Sequence, residues 1–564
     1  MASIIKNERN MLLERAKALC QVFAMRKSVE EILTNFSDEV VCFEHGLQKL
    51  APFLGRKFVG LNGAKEYFEL IAKLLDFSDM EFSDYIVDDE ERQVSVRGSA
   101  TFVWKSTAFE WQEIFTYRLK FDQYGKICSY EVWADSGAAY LASRGRRIIL
   151  ATYEFTYSPF SGNGILARSI VKALLQLGCH VTVWCCQPYE SQQHDNHLEV
   201  PEICEESRDR LALVPLQLEA KHGWRKLDDE SAWEYFVWEN LCTPAQQLLR
   251  KSLSDADAVC AIDWTGANAV RSLLHSKPVV YLNFRVYSSG VADASKHQWY
   301  DDMENKALQG ASSVVVLSRR DQVSLESISC KAPVQESHIL LPPLRGDMER
   351  LALKDSIELQ QFLPQEFADM LCVKPRFLVT CVARLSHEKK VMRFVRFLEK
   401  AKDILDELGL VPLLAGATSE EEYASSVKRE LRKAAPNSII ISHFLEPSEL
   451  VAIFSRTVIN FHPSAYDAYG MTIVEAAACG VPSVVAKGDS VGATALIDAE
   501  CSIQVAMPND ENIIDDVDVG EIAKLLRDPS VLDQRGQLAR HRALAWDEGA
   551  YGKRLLEIIS GVSS

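Results

Sequence analysis

Residues Phe461–Ala486, FHPSAYDAYGMTIVEAAACGVPSVVA, decide how this chain is read. The stretch begins at the end of a buried strand, passes through a polar loop into a short helix, and enters another buried strand at Ser483–Ala486. Asp467 stands just before the helix and Glu475 within it, with seven residues between them. Tyr469-Gly470-Met471-Thr472 form the turn where the helix begins, so backbone N–H groups without helical partners collect there. A helix N-terminus at the carboxyl end of a strand is suited to bind phosphate or sugar hydroxyls. Gly480-Val481-Pro482 then closes the helix and sends the chain into the next strand.

The pattern around this stretch is alternating strand and helix from Arg147 onward, as in parallel α/β sheets. A first series has strands at Arg147–Tyr153, His180–Cys186, Leu211–Pro215, Asp257–Ile262, Pro278–Leu282 and Ser312–Leu317, with helices at Ile165–Leu177 and Ser231–Ser252. A second series begins near Arg376, with strands at Phe377–Ala383, Val411–Gly416, Ser438–Ser442, Val458–Phe461 and Ser483–Ala486. Its helices are Val391–Leu408, Glu420–Ala434 and Pro447–Ser455. Pro342, Pro343 and Arg345-Gly346-Asp347 fall where a hinge between the two series belongs.

Residues 1–145 differ. Helical periodicity at Arg9–Ala24 and Gly63–Leu75 gives way to strand-like alternation at Arg92–Trp104, Phe109–Phe121 and Ile127–Ala134. That order indicates an α+β domain with one curved sheet. Ser143-Arg144-Gly145-Arg146-Arg147 marks its end and is short for a linker.

At 564 residues the chain exceeds one core and fits about three domains. Its 25% charged and 47% apolar residues are ordinary for a globular protein. The formal net charge of −17, with no basic stripe, argues against a nucleic-acid partner. No run reaches the length of a membrane span, and the charged N-terminal segment lacks the apolar core of a signal peptide. The fourteen cysteines include no C-x-x-C, and many lie in strand-like runs, which fits buried thiols in a reducing compartment. Cytoplasmic location is the expectation.

The opening stretch resembles the donor-site signature of retaining glycosyltransferases of the GT-B fold, the large family-4 type: E-x-F-G, four residues, then E-A-x-A-x-G-x-P-V-V-A. Asp467 replaces the first Glu and Tyr469 the Phe. Val382-Ala383-Arg384-Leu385-Ser386-His387-Glu388-Lys389 resembles the family's G-R-L-x-x-x-K-G, with Ala383 and Lys390 in the two glycine places. Ser161-Gly162-Asn163-Gly164 resembles the Gly-rich loop of the first GT-B domain. The run WQEIFTYRLKFDQYGKICSYEVWAD resembles the last strands of the nuclear-transport-factor-2-like, or SnoaL-like, cone fold. In such a cone Trp104, Trp111, Tyr117, Glu131, Trp133 and Asp135 line or rim a pocket, or fill it as core.

The resemblance implies an α/β chain of two doubly wound Rossmann-like domains preceded by a cone-shaped SnoaL-like α+β domain. The expected bounds are 1–145, 146–345 on the acceptor side and 346–564 on the nucleotide-sugar side, with the last helix returning to the first Rossmann-like domain. It implies transfer from a nucleotide-diphosphate sugar, most simply a UDP-sugar, to a hydroxyl acceptor, with no cofactor and no metal. By the family's example, Arg384 and Lys389 grip the diphosphate, Glu475 holds the ribose, and Asp467 meets the sugar. Gly162, Asn163, Gly164, Gly470, Met471 and Thr472 present backbone to the donor.

Physical chemistry supports parts of this. A planar guanidinium suits bidentate phosphate contact, and an ammonium serves as a point charge. Eight positions along a helix span about 12 Å, against roughly 5–9 Å between glycosidase carboxyl groups, so Asp467 and Glu475 are not a glycosidase pair. Asp255-Ala256-Asp257 and Asp516-Val517-Asp518 are D-x-D strings outside any metal-site context. In Cys260-Ala261-Ile262-Asp263-Trp264, Ile262 stands where the family's H-D-W has His; Asp263 binds acceptor or sugar, or caps a helix. Arg285 is an acceptor-side cation. His462 either approaches the donor or sits in the core with its hydrogen bonds satisfied, the latter being the expectation. Two other readings stay open: a nucleotide-sugar-binding scaffold without turnover, and a protein whose main activity lies in the N-terminal pocket. A homodimer through the N-terminal domain is also expected.

Overall fold

The computed structural model describes residues 2–107, 109–155, 162–188, 205–218, 234–271, 273, 277–290, 296–328, 337–354, 376–418 and 420–563. Ser161, residues 189–204 of the expected loop Gln187–Leu211, and 231–233 of the expected helix Ser231–Ser252 lie outside them. The chain divides into two compact units, Met1–Arg146 with Leu177–His180, and Arg147–Gln176 with Val181–Ser564.

The first unit is built on one six-stranded sheet of β1 (Phe36–Glu44), β2 (Lys57–Val59), β3 (Leu75–Asp88), β4 (Gln93–Trp104), β5 (Phe109–Phe121) and β6 (Ile127–Trp133). The order is β2-β1-β6-β5-β4-β3, and β1 runs parallel to β6 while the other pairs are antiparallel. Helix Gly60–Leu74 turns Ala64, Tyr67 and Phe68 inward. Phe68 meets Phe36 at 5.6 Å, and Phe23 meets Tyr117 at 5.7 Å, so aromatic rings fill the space under the sheet. Trp104 and Tyr117 are part of this core. Asp135 instead caps helix Ser136–Arg144, Glu131 pairs with His45 and Arg118, and Trp133 stacks on His45 at the surface. Strand β3 has no counterpart in the sequence reading. It is an edge strand, mostly exposed, with register breaks between Ser78 and Glu81 and between Ser83 and Ile86, so it carries no clean alternation.

The second unit holds two parallel sheets. The first contains β7 (Arg147–Ala151), β8 (His180–Pro188), β9 (Leu211–Leu218), β10 (Ala258–Ile262), β11 (Val279–Asn283), β12 (Ser313–Val316) and β13 (Ser337–Ile339), ordered β13-β12-β11-β10-β7-β8-β9. The second contains β14 (Leu378–Val382), β15 (Val411–Ala415), β16 (Ile439–Ile441), β17 (Thr457–Phe461), β18 (Ser483–Ala486) and β19 (Ile503–Val505), ordered β16-β15-β14-β17-β18-β19. Their strands are continuous buried runs such as AVCAI and VVYLN, as sheets covered on both faces require. In each sheet the order reverses beside the first strand, between β7 and β10 and between β14 and β17. Ligands of open α/β sheets bind beyond the carboxyl ends of strands at such a reversal.

The helix expected at Ser231–Ser252 is instead Thr243–Asp255, preceded by a single turn at Trp238–Asn240. Pro244 explains the difference: it lacks a donor N–H and is tolerated in the first helical turn but not in the interior. The D-x-D strings are structural. Asp257 accepts from the Arg147 N–H, Asp255 pairs with Arg147, and Asp516 pairs with Lys400.

The C-terminal helix Glu548–Ser563 packs on helix Gly162–Gln176 of the first sheet. A buried ion pair joins them, with Lys172 Nζ 2.7 Å from Glu548 Oε2. A Cβ at Gly346 would lie 2.7 Å from that same oxygen, so a larger residue there would press on the buried ion pair. Lys172→Met strands a buried carboxylate and is expected to destabilise by about 3 kcal/mol, read as a lowered melting temperature. Lys172→Met with Glu548→Leu is expected to recover most of the loss. A double variant no more stable than the single one would contradict this account.

Candidate functional site

The two switch points open on one crevice of about 2280 Å³ in the second unit. From the first sheet it is lined by Gly162 and Asn163 beyond β7, Asp263 beyond β10 and Arg285 beyond β11. From the second sheet come Arg384 and Lys389 beyond β14, and His462, Asp467, Gly470, Met471, Thr472 and Glu475 beyond β17. Every site residue expected from sequence is in this wall except Gly164. That glycine is buried within its helix, so its part in a donor-facing loop is corrected.

The segment after β14 is held by Leu385, which is buried and bridges to Thr418. Lys390, in a glycine place of the motif, has φ +52°. The left-handed backbone that glycine would favour is thus retained at about 1 kcal/mol of strain. Its ammonium reaches the Asn509 carbonyl at 2.6 Å. The segment after β17 is fixed by Arg393, a buried guanidinium that donates to the carbonyls of Pro463, at 2.7 Å, and Pro508. Gly470 has φ +90°, and a Cβ there would meet Ile473 at 2.9 Å, so the helix Met471–Ala478 can start only from glycine.

Lys389 and Asp467 join the two segments. Lys389 Nζ donates to Asp467 Oδ2 at 2.6 Å, and His462 Nε2 lies 3.4 Å from the same oxygen. Burial, the largest single influence, pushes the Asp467 carboxyl up, but Lys389 and His462 together outweigh it and hold it well below the usual range. Asp467 is therefore an anion and Lys389 its counter-ion.

Glu475 is buried, and Arg345 Nη1 stands 3.8 Å from its carboxylate. Burial raises the carboxyl, with Arg345 opposing. Arg345 is itself gripped by Asp347 through two hydrogen bonds of 3.1 and 2.6 Å. Glu388 lies between two guanidiniums, 3.5 Å from Arg285 of the first sheet and 3.6 Å from Arg384 of the second. Arg285 is thus cationic but spans the crevice to the second sheet, beyond the acceptor-side place expected for it.

Asp263 does not cap its helix. Its carboxylate accepts from the Phe284 N–H at 2.8 Å, from Asn163 at 2.6 Å and from the Tyr287 hydroxyl at 3.1 Å. Burial raises it to about 7, offset in part by the Phe284 and Tyr287 donors. His462 also departs from expectation. It is buried with Nε2 facing the Asp467 carboxylate, but Nδ1 has no hydrogen-bond partner among the described residues, so it is only half satisfied. Tyr469 gains a reason for replacing Phe, because its hydroxyl donates to the Pro342 carbonyl at 2.8 Å.

Arg345 and Glu388 are what sequence reasoning missed. Arg345 lies 130 positions from Glu475 and carries no motif. Only its place beside the hinge pointed toward the crevice. Among the described residues no three His, Cys, Asp or Glu side chains gather as metal ligands.

Residues 365–542 match the sequence family described as glycosyl transferases group 1. No curated protein matches the chain in sequence. Among solved structures the fold is similar to sucrose-phosphate synthase from Thermosynechococcus elongatus, at 16% identity and TM-score 0.54 over 74% of this chain and 99% of that one. It is similar to WaaG, a glycosyltransferase involved in lipopolysaccharide biosynthesis, at 18% identity and TM-score 0.52 over 73% of this chain and all (100%) of that one. It is also similar to HepE from Anabaena, at 14% identity and TM-score 0.51 over 74% and 99%. These likenesses concern the GT-B fold of two facing Rossmann-like domains. With a glycosyl transferases group 1 domain at residues 365–542 on that fold, the chain is a glycosyltransferase.

Proposed function

We propose that this glycosyltransferase is of the retaining, metal-independent family-4 type, moving a sugar from a nucleotide-diphosphate sugar to a hydroxyl acceptor. The convergence of Arg384, Lys389, Glu475 and the Gly470 turn on one crevice between two switch points carries this reading. A uridine nucleotide is the first candidate, since the structurally similar HepE was solved with UDP and glucose. Arg384 and Lys389 receive the diphosphate, Glu475 accepts from the ribose hydroxyls, and Asp467 with the Gly470 turn positions the sugar. The bond between the anomeric carbon and the diphosphate breaks while the acceptor oxygen bonds to that carbon from the same face. The acceptor proton passes to a diphosphate oxygen. Fixed cations stabilise the charge gathering on the leaving group more in the transition state than in the ground state. Crevice closure limits attack by water.

The first unit is proposed as a SnoaL-like module that pairs two copies of the chain. The exposed Ile114 and Trp133, both projecting from β5 and β6, support an interface there. Among the described residues no helix is long and apolar enough to cross a membrane, and the proposed location is cytoplasmic.

Three outcomes test the site. UDP-sugars are expected to raise the melting temperature by mass action, and Lys389→Ala to abolish that rise; an undiminished rise removes Lys389 from the donor site. Glu475→Gln is expected to weaken UDP binding about 10- to 100-fold, as loss of a charged hydrogen-bond acceptor does, measured by titration calorimetry. The third concerns pH. Asp263 keeps its proton in the folded chain up to about pH 7, whereas an unfolded aspartate loses it near ~4. Between those values the folded state binds more protons, so the contribution of Asp263 to stability falls as pH rises from about 4 to 7. Asp263→Asn is expected to flatten that part of the stability profile, and an unaltered slope would contradict it.

A further inference from the structure

His462 is a side chain of the crevice wall whose chemistry the reaction scheme leaves unused. Its backbone is fixed: the His462 N–H donates to the Val484 carbonyl at 2.9 Å, extending the sheet, and the next carbonyl, of Pro463, is held by Arg393. The ring lies between Asp467, with Nε2 3.4 Å from the carboxylate, and the Gly470 turn, where a Cβ would stand 3.7 Å from His462 Cε1. The residue is 3% exposed and lines the crevice; its Nε2 faces the Asp467 carboxylate, and its Nδ1 has no hydrogen-bond partner among the described residues. Leaving a buried polar group unsatisfied costs about 1–3 kcal/mol, so a fixed, buried imidazole at a ligand crevice calls for a partner.

Asp467 reaches less far toward the sugar than the signature's acid. It is one methylene shorter than the Glu of the signature, and its Oδ2 is already engaged by Lys389 at 2.6 Å. Its backbone is tied on both sides, N–H to the Ser490 carbonyl and carbonyl to the Gly492 N–H, each at 3.1 Å. The carboxylate is therefore held back beside the lysine. It orients His462, since an anion beside Nε2 favours the tautomer with the proton on that nitrogen. The other ring nitrogen, Nδ1, is then an acceptor and suits a hydroxyl donor.

We propose that His462 binds a hydroxyl of the transferred sugar, with Asp467 as the positioning residue behind it. Specificity for the sugar, as distinct from the nucleotide, then rests on an imidazole at the end of β17. The inference depends on the donor reading above and adds the residue that touches the sugar.

The test compares UDP with whichever of UDP-glucose, UDP-galactose and UDP-N-acetylglucosamine binds the full-length wild-type chain most tightly, by titration calorimetry. His462→Phe keeps an aromatic ring, slightly larger, and removes both nitrogens. It is expected to weaken the UDP-sugar about 3- to 10-fold, the worth of one neutral hydrogen bond, and to leave UDP within twofold. His462→Asn, which restores a hydrogen-bonding group, is expected to regain part of the sugar affinity. Equal loss of both ligands in both variants would show a packing role and overturn the inference. So would UDP-sugar affinity that neither substitution changes. If the wild-type chain binds neither UDP nor any UDP-sugar, the donor reading fails and the inference with it.

Discussion

Lys389 and Asp467 meet at 2.6 Å where β14 and β17 end side by side. Both side chains are largely enclosed, at 16% exposure each, so neither charge could be kept there without the other. The pair binds together two loops that the chain order places 78 positions apart. One loop carries Arg384 and Glu388; the other carries His462, the Gly470 turn and the helix holding Glu475. The wall proposed for the diphosphate and the helix proposed for the nucleoside become one surface because this ion pair sits at the reversal of strand order. On the proposed reading the same ammonium meets the diphosphate, so the donor would share Lys389 with a carboxylate already in place.

A second arrangement ties the facing sheets together. Glu388 lies between Arg285 and Arg384, and Tyr469 and Tyr466 bond to Pro342 and Asp321. All but the Glu388–Arg384 pair cross the crevice. The two carboxylate–guanidinium pairs exceed 3.4 Å and so are loose, while the tyrosine bonds are shorter. Loose pairs between partly exposed groups contribute little stability and rearrange easily.

Much of this was legible in the sequence because parallel strands buried on both faces leave uninterrupted apolar runs. Phe461–Ala486 showed strand, turn, helix and strand in order, and the residues after β14 and β17 did fall in one wall. The strand order was not legible, and it is the strand order that makes those two loops neighbours. Edge strand β3 escaped because its exposed, bulged backbone shows no alternation, and helix Thr243–Asp255 was drawn too long because Pro244 was read through. His462 is a different case: a histidine at the end of an apolar strand looks like core, and only the fold shows that its Nε2 faces Asp467 while its Nδ1 has no partner among the described residues. The exchange of Phe for Tyr at 469 and the lysine at 390 likewise became intelligible only through Pro342 and a φ of +52°.

The central claim is that one crevice wall joins Arg384, Lys389 and Glu475 around a nucleoside diphosphate. A crystal structure of the full chain with UDP bound tests it most directly. The account predicts the diphosphate within hydrogen-bonding distance of Arg384 and Lys389, the ribose hydroxyls on Glu475, and the β-phosphate toward the Gly470 turn. UDP seated elsewhere, or lying in the crevice with its diphosphate turned away from Lys389, would contradict it.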